Sequence, residues 1–408
     1  MMYRYMLYVF TSILLISHTV RGQQSSKEIY GISHYTVIFW NVENFFDTRP
    51  DPYKEDKNFT SGGEMRWNWK RFAAKRDALA KTMIAAQQEE PQMPAIIGLA
   101  EVENRFVLNQ LLYETPLYLG DYRIIHKDSP DRRGIDVALL YRKELFRPLQ
   151  SRFLTVETTF TNDVDRQTAI QQETRQTAMQ QETRQTAMQQ ETRQTAIQQE
   201  TRQTAIQQET RQTAIQQESF DTSITPEYSR DILYVKGVLH DLDTIHLFVN
   251  HWPSKYGGEK VSGPKRKWAA TLLANICDSI LDKNPKSNIL AMGDFNDTPE
   301  AELFGILERL TILEPNKGQR GEPKIKGTIK FQGVWERIDH FFVSPNLLDN
   351  NEPVSITPSQ FTIVESSHLL ERDRKFTGVK PRRTYIGPRY NGGLSDHLPI
   401  ILKIQRNW

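Results

Sequence analysis

The chain has 408 residues, a formal net charge of +2 at pH 7 and a single cysteine, Cys277. The near-neutral charge excludes a strong long-range attraction of polyanions by the protein as a whole, so any such attraction must be local. One cysteine excludes an intrachain disulfide, and the length is sufficient for one large core that stabilises the fold without one.

The first 22 residues resemble a secretory signal peptide. Arg4 precedes an apolar stretch over residues 6–16, and Val20-Arg21-Gly22 follows as a small-residue exit. This stretch is too short to be a stable membrane anchor. We therefore predict a signal peptide over residues 1–22, a secreted or periplasmic protein, and no stable membrane insertion after cleavage. The alternative is a buried N-terminal helix, which no amphipathic pattern in the segment favours.

Six short apolar runs each begin or end with polar residues suited to phosphate chemistry. Such runs predict buried strands, and strand ends are where open α/β sheets carry their functional groups. If the strand ends converge, several carboxylates, two histidines and two side-chain amides share one pocket, which suits a divalent metal and a phosphodiester. The runs cover residues 36–43, 95–101, 246–251, 288–296, 338–343 and 395–402.

A nonapeptide, Arg-Gln-Thr-Ala-Ile-Gln-Gln-Glu-Thr, recurs six times over residues 166–219, with Met replacing Ile in two copies. Nine residues at 100° each place successive Ile or Met side chains on opposite faces of a helix, so neither face forms a buried stripe. The composition favours helix. We predict a helical or disordered insertion in a surface loop. Self-association or a spacer role is the alternative.

The polar ends of the runs form a set of short motifs in a fixed order. They are Trp40-Asn41-Val42-Glu43, Glu101, Asn250-His251-Trp252-Pro253, Gly293-Asp294-Phe295-Asn296, Ile338-Asp339-His340 and Ser395-Asp396-His397. Together they resemble the endonuclease/exonuclease/phosphatase superfamily, which includes pancreatic-type deoxyribonucleases and neutral sphingomyelinases. The resemblance implies an α/β fold, a four-layer sandwich of two facing mixed β-sheets flanked by helices. We expect this domain to span residues 30–408, interrupted by the repeat.

Glu101 is the first candidate metal ligand, because a carboxylate that closes a buried run is costly unless a cation pairs with it. A salt bridge to an arginine is the alternative. Hard oxygen ligands without a cysteine cluster indicate Mg²⁺, with Mn²⁺ or Ca²⁺ as alternatives, rather than structural zinc. The resemblance implies that Glu43 and Asp396 supply further ligands and that Asn41 supports the site. A turn or cap role is the alternative for Asn41.

His397 is the candidate catalytic histidine. As an imidazolium it would contact the scissile phosphate, and as a neutral ring it would accept a proton from water. The resemblance implies that Asp339 hydrogen-bonds and orients this ring. Asp294 and Asn296 follow a buried run two residues apart, so both reach the same side of the strand. We expect Asp294 to orient or deprotonate the attacking water and Asn296 to donate to phosphate.

A second histidine, His251, leaves its strand into a tight loop. Deoxyribonuclease-like members of the family pair a histidine here with an acid, and Asp136 is the candidate partner. Three cations are candidates for substrate binding: Arg133 in a basic pair, Lys255 in a glycine-containing loop, and Arg230, whose position resembles that of a family arginine. Cations beside the site would grip flanking phosphates.

These features predict an exported, metal-dependent phosphodiesterase, a nuclease of low sequence specificity that contacts the nucleic-acid backbone. None of the basic clusters shows, within its own stretch of sequence, the aromatic interleaving of a dedicated single-strand binder. One alternative is a phosphatase or phosphodiesterase of nucleotides, phosphoinositides or phospholipid head groups, which uses the same ligands. Another is a binding or scaffold protein built around the repeat.

Overall fold

The structure is a computed structural model that describes residues 33–86, 92–156, 229–255, 258–316 and 325–407. The predicted signal peptide and the nonapeptide repeat lie outside these described residues. No helix within the described ranges combines the length and the apolar character that crossing a bilayer requires.

The described secondary structure is dominated by β-strands. Three α-helices are present in the described ranges: α1 (Trp69–Ala85), α2 (Arg105–Tyr113) and α3 (Glu259–Lys283). The strands are β1 (His34–Phe45), β2 (Ile96–Val102), β3 (Tyr122–His126), β4 (Asp136–Arg142), β5 (Phe146–Leu154), β6 (Ile232–Leu239), β7 (Asp243–His251), β8 (Asn288–Asp294), β9 (Thr311–Ile312), β10 (Ile329–Phe331), β11 (Val334–Glu336), β12 (Asp339–Val343), β13 (Val354–Ser355), β14 (Phe361–Ile363), β15 (Leu370–Arg372), β16 (Val379–Pro381), β17 (Tyr385–Ile386), β18 (Arg389–Tyr390) and β19 (Ile400–Arg406).

Two large mixed sheets form the centre of the fold. The first has the order β13-β19-β1-β2-β4-β3, with β14 also paired to β19, and the second has the order β5-β6-β7-β8-β12-β9. In each sheet one central pair is parallel, β1 with β2 and β7 with β8, while the other pairs are antiparallel. The predicted α/β sandwich of two mixed sheets is confirmed.

Alternating side chains on the strands explain the layers. On β8, Leu290 and Met292 belong to the buried cluster shared by the inner faces of both sheets, whereas Ile289 and Ala291 pack in the cluster that includes α3. Side chains of α1 and α2 bury themselves in the same way against the outer face of the first sheet. Because the side chains of a strand alternate between its two faces, a fully apolar run such as that of β8 is buried on both sides.

The parallel pairs determine where the polar strand ends meet. The side-by-side ends of β1 and β2 carry Asn41 and Glu101 to one edge of the first sheet. In the second sheet, the register pairs His251 with Asp294, and Asp294 with Asp339 on the antiparallel neighbour β12. Five polar residues from five distant stretches of sequence therefore lie close together on neighbouring strands.

The packing of the two sheets makes a stability prediction. Leu290→Ala removes a fully buried side chain from the core between the sheets, and we expect the free energy of unfolding to fall by about 2–5 kcal/mol. Leu149→Ala is the matched control, because Leu149 on β5 is 49% exposed, and its effect should stay within about 0.5 kcal/mol. Urea denaturation followed by tryptophan fluorescence measures both, and equal effects would contradict the sandwich core.

Candidate active site

The carboxylate of Asp294, at the end of β8, lies at the centre of the site. Its Oδ2 accepts a hydrogen bond from Asn41 Nδ2 at 3.0 Å and lies 3.6 Å from His251 Nε2 and 3.7 Å from His397 Nε2. Its Oδ1 accepts the backbone N–H of Asn296 at 2.9 Å. One buried carboxylate thus contacts residues from both sheets, and four other predicted site residues come together around it.

Asp339 holds the imidazole of His397 in one orientation. Its Oδ2 lies 2.8 Å from His397 Nδ1, while the backbone of His397 donates to Ser395 Oγ at 3.0 Å and accepts from Trp40 Nε1 at 3.0 Å. Burial acts to lower the pKa of His397, but the carboxylates of Asp339 and Asp294 outweigh it and raise that pKa well above its ordinary value. The ring is therefore an imidazolium at neutral pH, as the predicted pairing with Asp339 requires.

His251, unlike His397, is a neutral imidazole. Burial, together with the nearby cations Arg230 and Arg133, lowers its pKa well below the ordinary value, so this ring is neutral. Its Nε2 lies 3.7 Å from Glu101 Oε1 and 3.6 Å from Asp294 Oδ2. Its buried Nδ1 has no hydrogen-bond partner within the described part of the chain. Two imidazoles of different charge therefore approach the same carboxylate.

Glu101 reaches the site from the end of β2. Its side chain is 15% exposed, and its Oε2 accepts the backbone N–H of Asn44 at 2.8 Å. Glu101, Glu43, Asn44 and Asn296 all adopt positive φ angles, between 47° and 62°. This left-handed backbone is strained for residues other than glycine, and such strain persists where the surrounding structure holds functional groups in place.

Glu43 and Asp396, the other predicted metal ligands, are joined by Arg383. The guanidinium Nε lies 2.8 Å from Glu43 Oε1, and Nη2 lies 3.1 Å from Asp396 Oδ2. The backbone N–H of Thr384 donates to the second oxygen of Glu43 at 2.8 Å, and Asp396 Oδ1 lies 3.9 Å from His397 Nε2. Both acids therefore border the site, with a cation between them.

Two basic residues of the site were missed as individual residues by the sequence prediction. Arg383 belongs to a basic run at residues 380–385, which is the only signal that pointed to it. Lys75 is almost fully buried on α1 and donates to the backbone oxygen of Glu43 and to Thr384 Oγ1. Burial lowers the pKa of Lys75 to about 8, against the opposing effect of Glu43. Lys75 therefore holds the backbone of Glu43, and Arg383 holds its carboxylate.

The predicted pairing of Asp136 with His251 is wrong. The carboxylate of Asp136 lies 3.3 Å from His126 Nε2 and accepts the backbone N–H of Ser129 at 2.9 Å. The reason is the strand order, in which β4 lies between β2 and β3. Asp136, at the start of β4, therefore meets His126 at the end of β3, whereas His251 belongs to the other sheet.

Arg230 is placed differently from the prediction that it binds substrate directly. It is 5% exposed, and it donates to the backbone oxygens of His251 at 3.0 Å and Trp252 at 2.8 Å. Asn296 Nδ2 donates to the same Trp252 oxygen at 2.9 Å. These contacts anchor the loop that follows β7, so Arg230 positions His251 through its backbone.

The other two predicted substrate cations lie at the surface beside acids. Lys255 Nζ is 2.9 Å from Asp297 Oδ1, and Arg133 Nε is 3.7 Å from Asp131 Oδ1. Both side chains are about half exposed, 46% and 51% respectively. Their role in substrate binding stays a prediction.

The acids of this site fit a divalent cation. Burial, followed by the charge of Asp396, raises the pKa of Glu43 to about 7, and burial with the charge of Asp339 raises that of Asp294 to about 7. Ionised carboxylates this close together repel one another, and a hard cation relieves that repulsion. Glu101 offers its oxygens beside them. The close trio of Asp294, Asp339 and His397 is a poorer ligand set, because a protonated imidazole cannot bind a metal.

The raised pKa values predict how pH changes metal binding. The folded-state pKa of Glu43, a predicted metal ligand, is about 7 and exceeds its ordinary value of 4.5. The stability that it contributes is therefore fully present below about pH 4 and is lost as the pH rises through 7. A cation offsets this loss and competes with the proton, so Mn²⁺ should raise the melting temperature more at pH 8 than at pH 6.

Differential scanning fluorimetry of the metal-free protein, with and without Mn²⁺, measures this shift. Glu101→Gln should remove most of it, while Glu144→Gln, at an exposed acid in the turn between β4 and β5, is the matched control and should retain it. A shift that is larger at pH 6, or unchanged by Glu101→Gln, would contradict the metal assignment.

The sequence matches one family of known proteins, and the chain is similar to several solved structures. A family model described as the endonuclease/exonuclease/phosphatase family matches residues 36–178 and 203–406, whereas no curated protein matches the sequence significantly. Similar solved structures include an endonuclease/exonuclease/phosphatase family protein from Bacteroides thetaiotaomicron (14% identity, TM-score 0.45, covering 91% of this chain and 95% of that chain). Others are truncated TDP2 from Caenorhabditis elegans (14%, 0.46, 91% and 97%) and a mannosyl-6-phosphatase from Bacteroides thetaiotaomicron (14%, 0.46, 91% and 99%).

The match of the family model extends over most of the chain on both sides of the repeat. It includes every strand end that carries a residue of the site. The chain therefore belongs to the endonuclease/exonuclease/phosphatase family, whose members are metal-dependent hydrolases of phosphoester bonds.

Proposed function

We propose that this hydrolase is a phosphodiesterase that cleaves nucleic acid with low sequence specificity. The observation that carries the proposal is the pair of imidazoles beside Asp294, with His397 charged and His251 neutral. Groups whose environments separate their pKa values in this way are suited to the acid and base roles of one reaction. Hydrolysis of a phosphodiester needs both roles, because water must lose a proton and an alkoxide must leave.

Each residue has a chemical task in this proposal. The His397 imidazolium would donate a hydrogen bond to the scissile phosphate and then its proton to the departing alkoxide, and Asp339 would keep the ring charged until that transfer. Asp294 would orient the attacking water and accept its proton, with Asn41 holding the carboxylate in place. His251, whose neutral ring lies 3.6 Å from that carboxylate, would help to orient the same water and leave the proton on Asp294, because its own pKa is lowered well below the ordinary value.

A divalent metal, Mg²⁺ with Mn²⁺ or Ca²⁺ as alternatives, would be held by Glu101, with Glu43 and Asp396 as further ligands. When bound, it supplies positive charge that stabilises the phosphate oxygens in the transition state. The half-exposed cations Arg133 and Lys255 would add backbone contacts to flanking phosphates, which carry no sequence information.

We expect the purified protein to cleave plasmid DNA or RNA with Mg²⁺ or Mn²⁺ and to lose this activity with a chelator. His397→Ala should lower kcat by about 10²–10⁴, the usual contribution of a general acid or base. His368→Ala is the matched control, because His368 is exposed and lies outside the site. Rapid turnover of small phosphomonoesters without strand cleavage would instead assign the protein to the phosphatases.

We also propose that the protein is exported, because residues 1–22 resemble a signal peptide, and that the repeat is not needed for catalysis. Each residue with a task in the reaction lies in the described ranges on either side of residues 166–219. Self-association through the repeat is the further role proposed for it.

Deletion of residues 166–219 should leave kcat/KM for DNA within about twofold of the full chain, because none of the catalytic groups lies there. Size-exclusion chromatography with light scattering compares the assembly of the two proteins. If the deletion variant hydrolyses DNA normally but no longer assembles, self-association through the repeat is supported. If it is folded but no longer hydrolyses DNA, the proposal that catalysis does not need the repeat is contradicted.

A further inference from the structure

A cleft of about 560 Å³ opens beside Glu43 and Asp396, and no step of the proposed reaction uses its outer walls. This volume is in the range of sites that enclose a small organic group. Three stretches distant in sequence form the walls: Phe59 and Met65 before α1, residues 329–331 of β10, and residues 380–388.

Part of the wall is aromatic and held in place. Phe59 stacks on Phe46 with a centroid separation of 4.4 Å, and Tyr385 meets Phe59 edge to face at 6.2 Å. The hydroxyl of Tyr385 donates to the backbone oxygen of Met65 at 2.9 Å. These contacts prepare an apolar surface before a ligand binds, which lowers the entropy cost of binding a flat ring.

Apolar side chains of the cleft are also unusually exposed. Phe331 is 60% exposed at the tip of the β10–β11 hairpin, and Ile386 is 38% exposed. The hairpin turns tightly through Gln332 and Gly333, both with positive φ, which projects Phe331 away from the core. Exposed large apolar residues grouped at a cleft indicate a binding surface.

Cations border the same cleft. The side chain of Arg383 is 49% exposed at the inner end, between the two carboxylates that it contacts, and that of Lys380 is 30% exposed. Lys330 is a third cation of the lining, and the three cations balance the three acids there, Glu43, Glu64 and Asp396. A phosphate would therefore be held by direct contacts with these cations and not by a net positive charge of the cleft.

We propose that this cleft binds the unpaired nucleotide next to the scissile phosphate. Its base would lie against Phe331 and the aromatic wall, and its phosphate beside Arg383 and Lys380. Aromatic surfaces combined with cations are how proteins hold unpaired strands with little sequence preference. This inference rests on the proposed function and predicts a preference for unpaired over duplex nucleic acid. Phe331 and Arg383 are far apart in sequence, so no local motif shows the combination.

The test compares two substrates in Mn²⁺: a single-stranded oligothymidylate, and an oligomer of equal length whose tetrahydrofuran residues lack bases. The wild-type kcat/KM should be about tenfold higher with bases, the size expected for one stacked base. Phe331→Ala should remove this preference. Val334→Ala is the matched control, because Val334 pairs with Phe331 in the hairpin and is 61% exposed but lies outside the cleft lining.

Each outcome separates the inference from the function on which it rests. Cleavage of both oligomers without a preference for bases, or with the opposite preference, overturns the cleft assignment and keeps the phosphodiesterase. Cleavage of plasmid DNA but of neither oligomer overturns the cleft assignment alone, and cleavage of no nucleic acid overturns both proposals. Activity that rises with phosphatidylcholine vesicles and falls equally in both variants also overturns the assignment, because the hairpin then contacts a lipid surface. Circular dichroism confirms that both variants are folded.

Discussion

A hydrogen bond from Asn41 to Asp294, 3.0 Å long, joins the two sheets at the edge where the site lies. Asn41 lies where the regular pairing of β1 with β2 is interrupted and Asp294 is at the end of β8, so this contact fixes the distance between two strands whose residues are 253 apart in sequence. The distance from Asp294 to His397 depends on it, whereas His251 pairs with Asp294 within the second sheet. If β1 slipped by one residue in its pairing with β2, its side chains would point to the other face and Asn41 would leave the site.

The site places opposite charges in a buried space at a considerable electrostatic cost. Burial and acidic neighbours raise the pKa values of Asp294 and Glu43 to about 7, which favours their neutral forms. The His397 imidazolium and the Arg383 guanidinium offset part of this cost within contact distance. Buried charges are tolerated only where such partners hold them, which explains why Lys75 is also buried beside Glu43. A bound cation would complete the same balance, and this links metal affinity to the protonation of the site.

The convergence of strand ends could be predicted because each apolar run begins or ends with polar residues, whereas the sandwich was implied by the resemblance to a known family. What the sequence could not show is which strands are neighbours. Asp136 contacts His126 because β4 pairs with β3, and no periodicity encodes that order. Arg383 was likewise hidden, since it meets Glu43 across 340 residues of sequence. Lys75 resembled a surface lysine until the fold placed it against Glu43.

The central claim is that the Asp294 carboxylate lies beside two imidazoles of different charge, a charged His397 and a neutral His251. The ¹⁵N chemical shifts of the imidazole nitrogens, assigned with single histidine variants, test it directly in the metal-free protein. At pH 7 the account predicts protons on both nitrogens of His397 and on one nitrogen of His251, as their opposite pKa shifts require. Two neutral rings, or two charged rings, would contradict it.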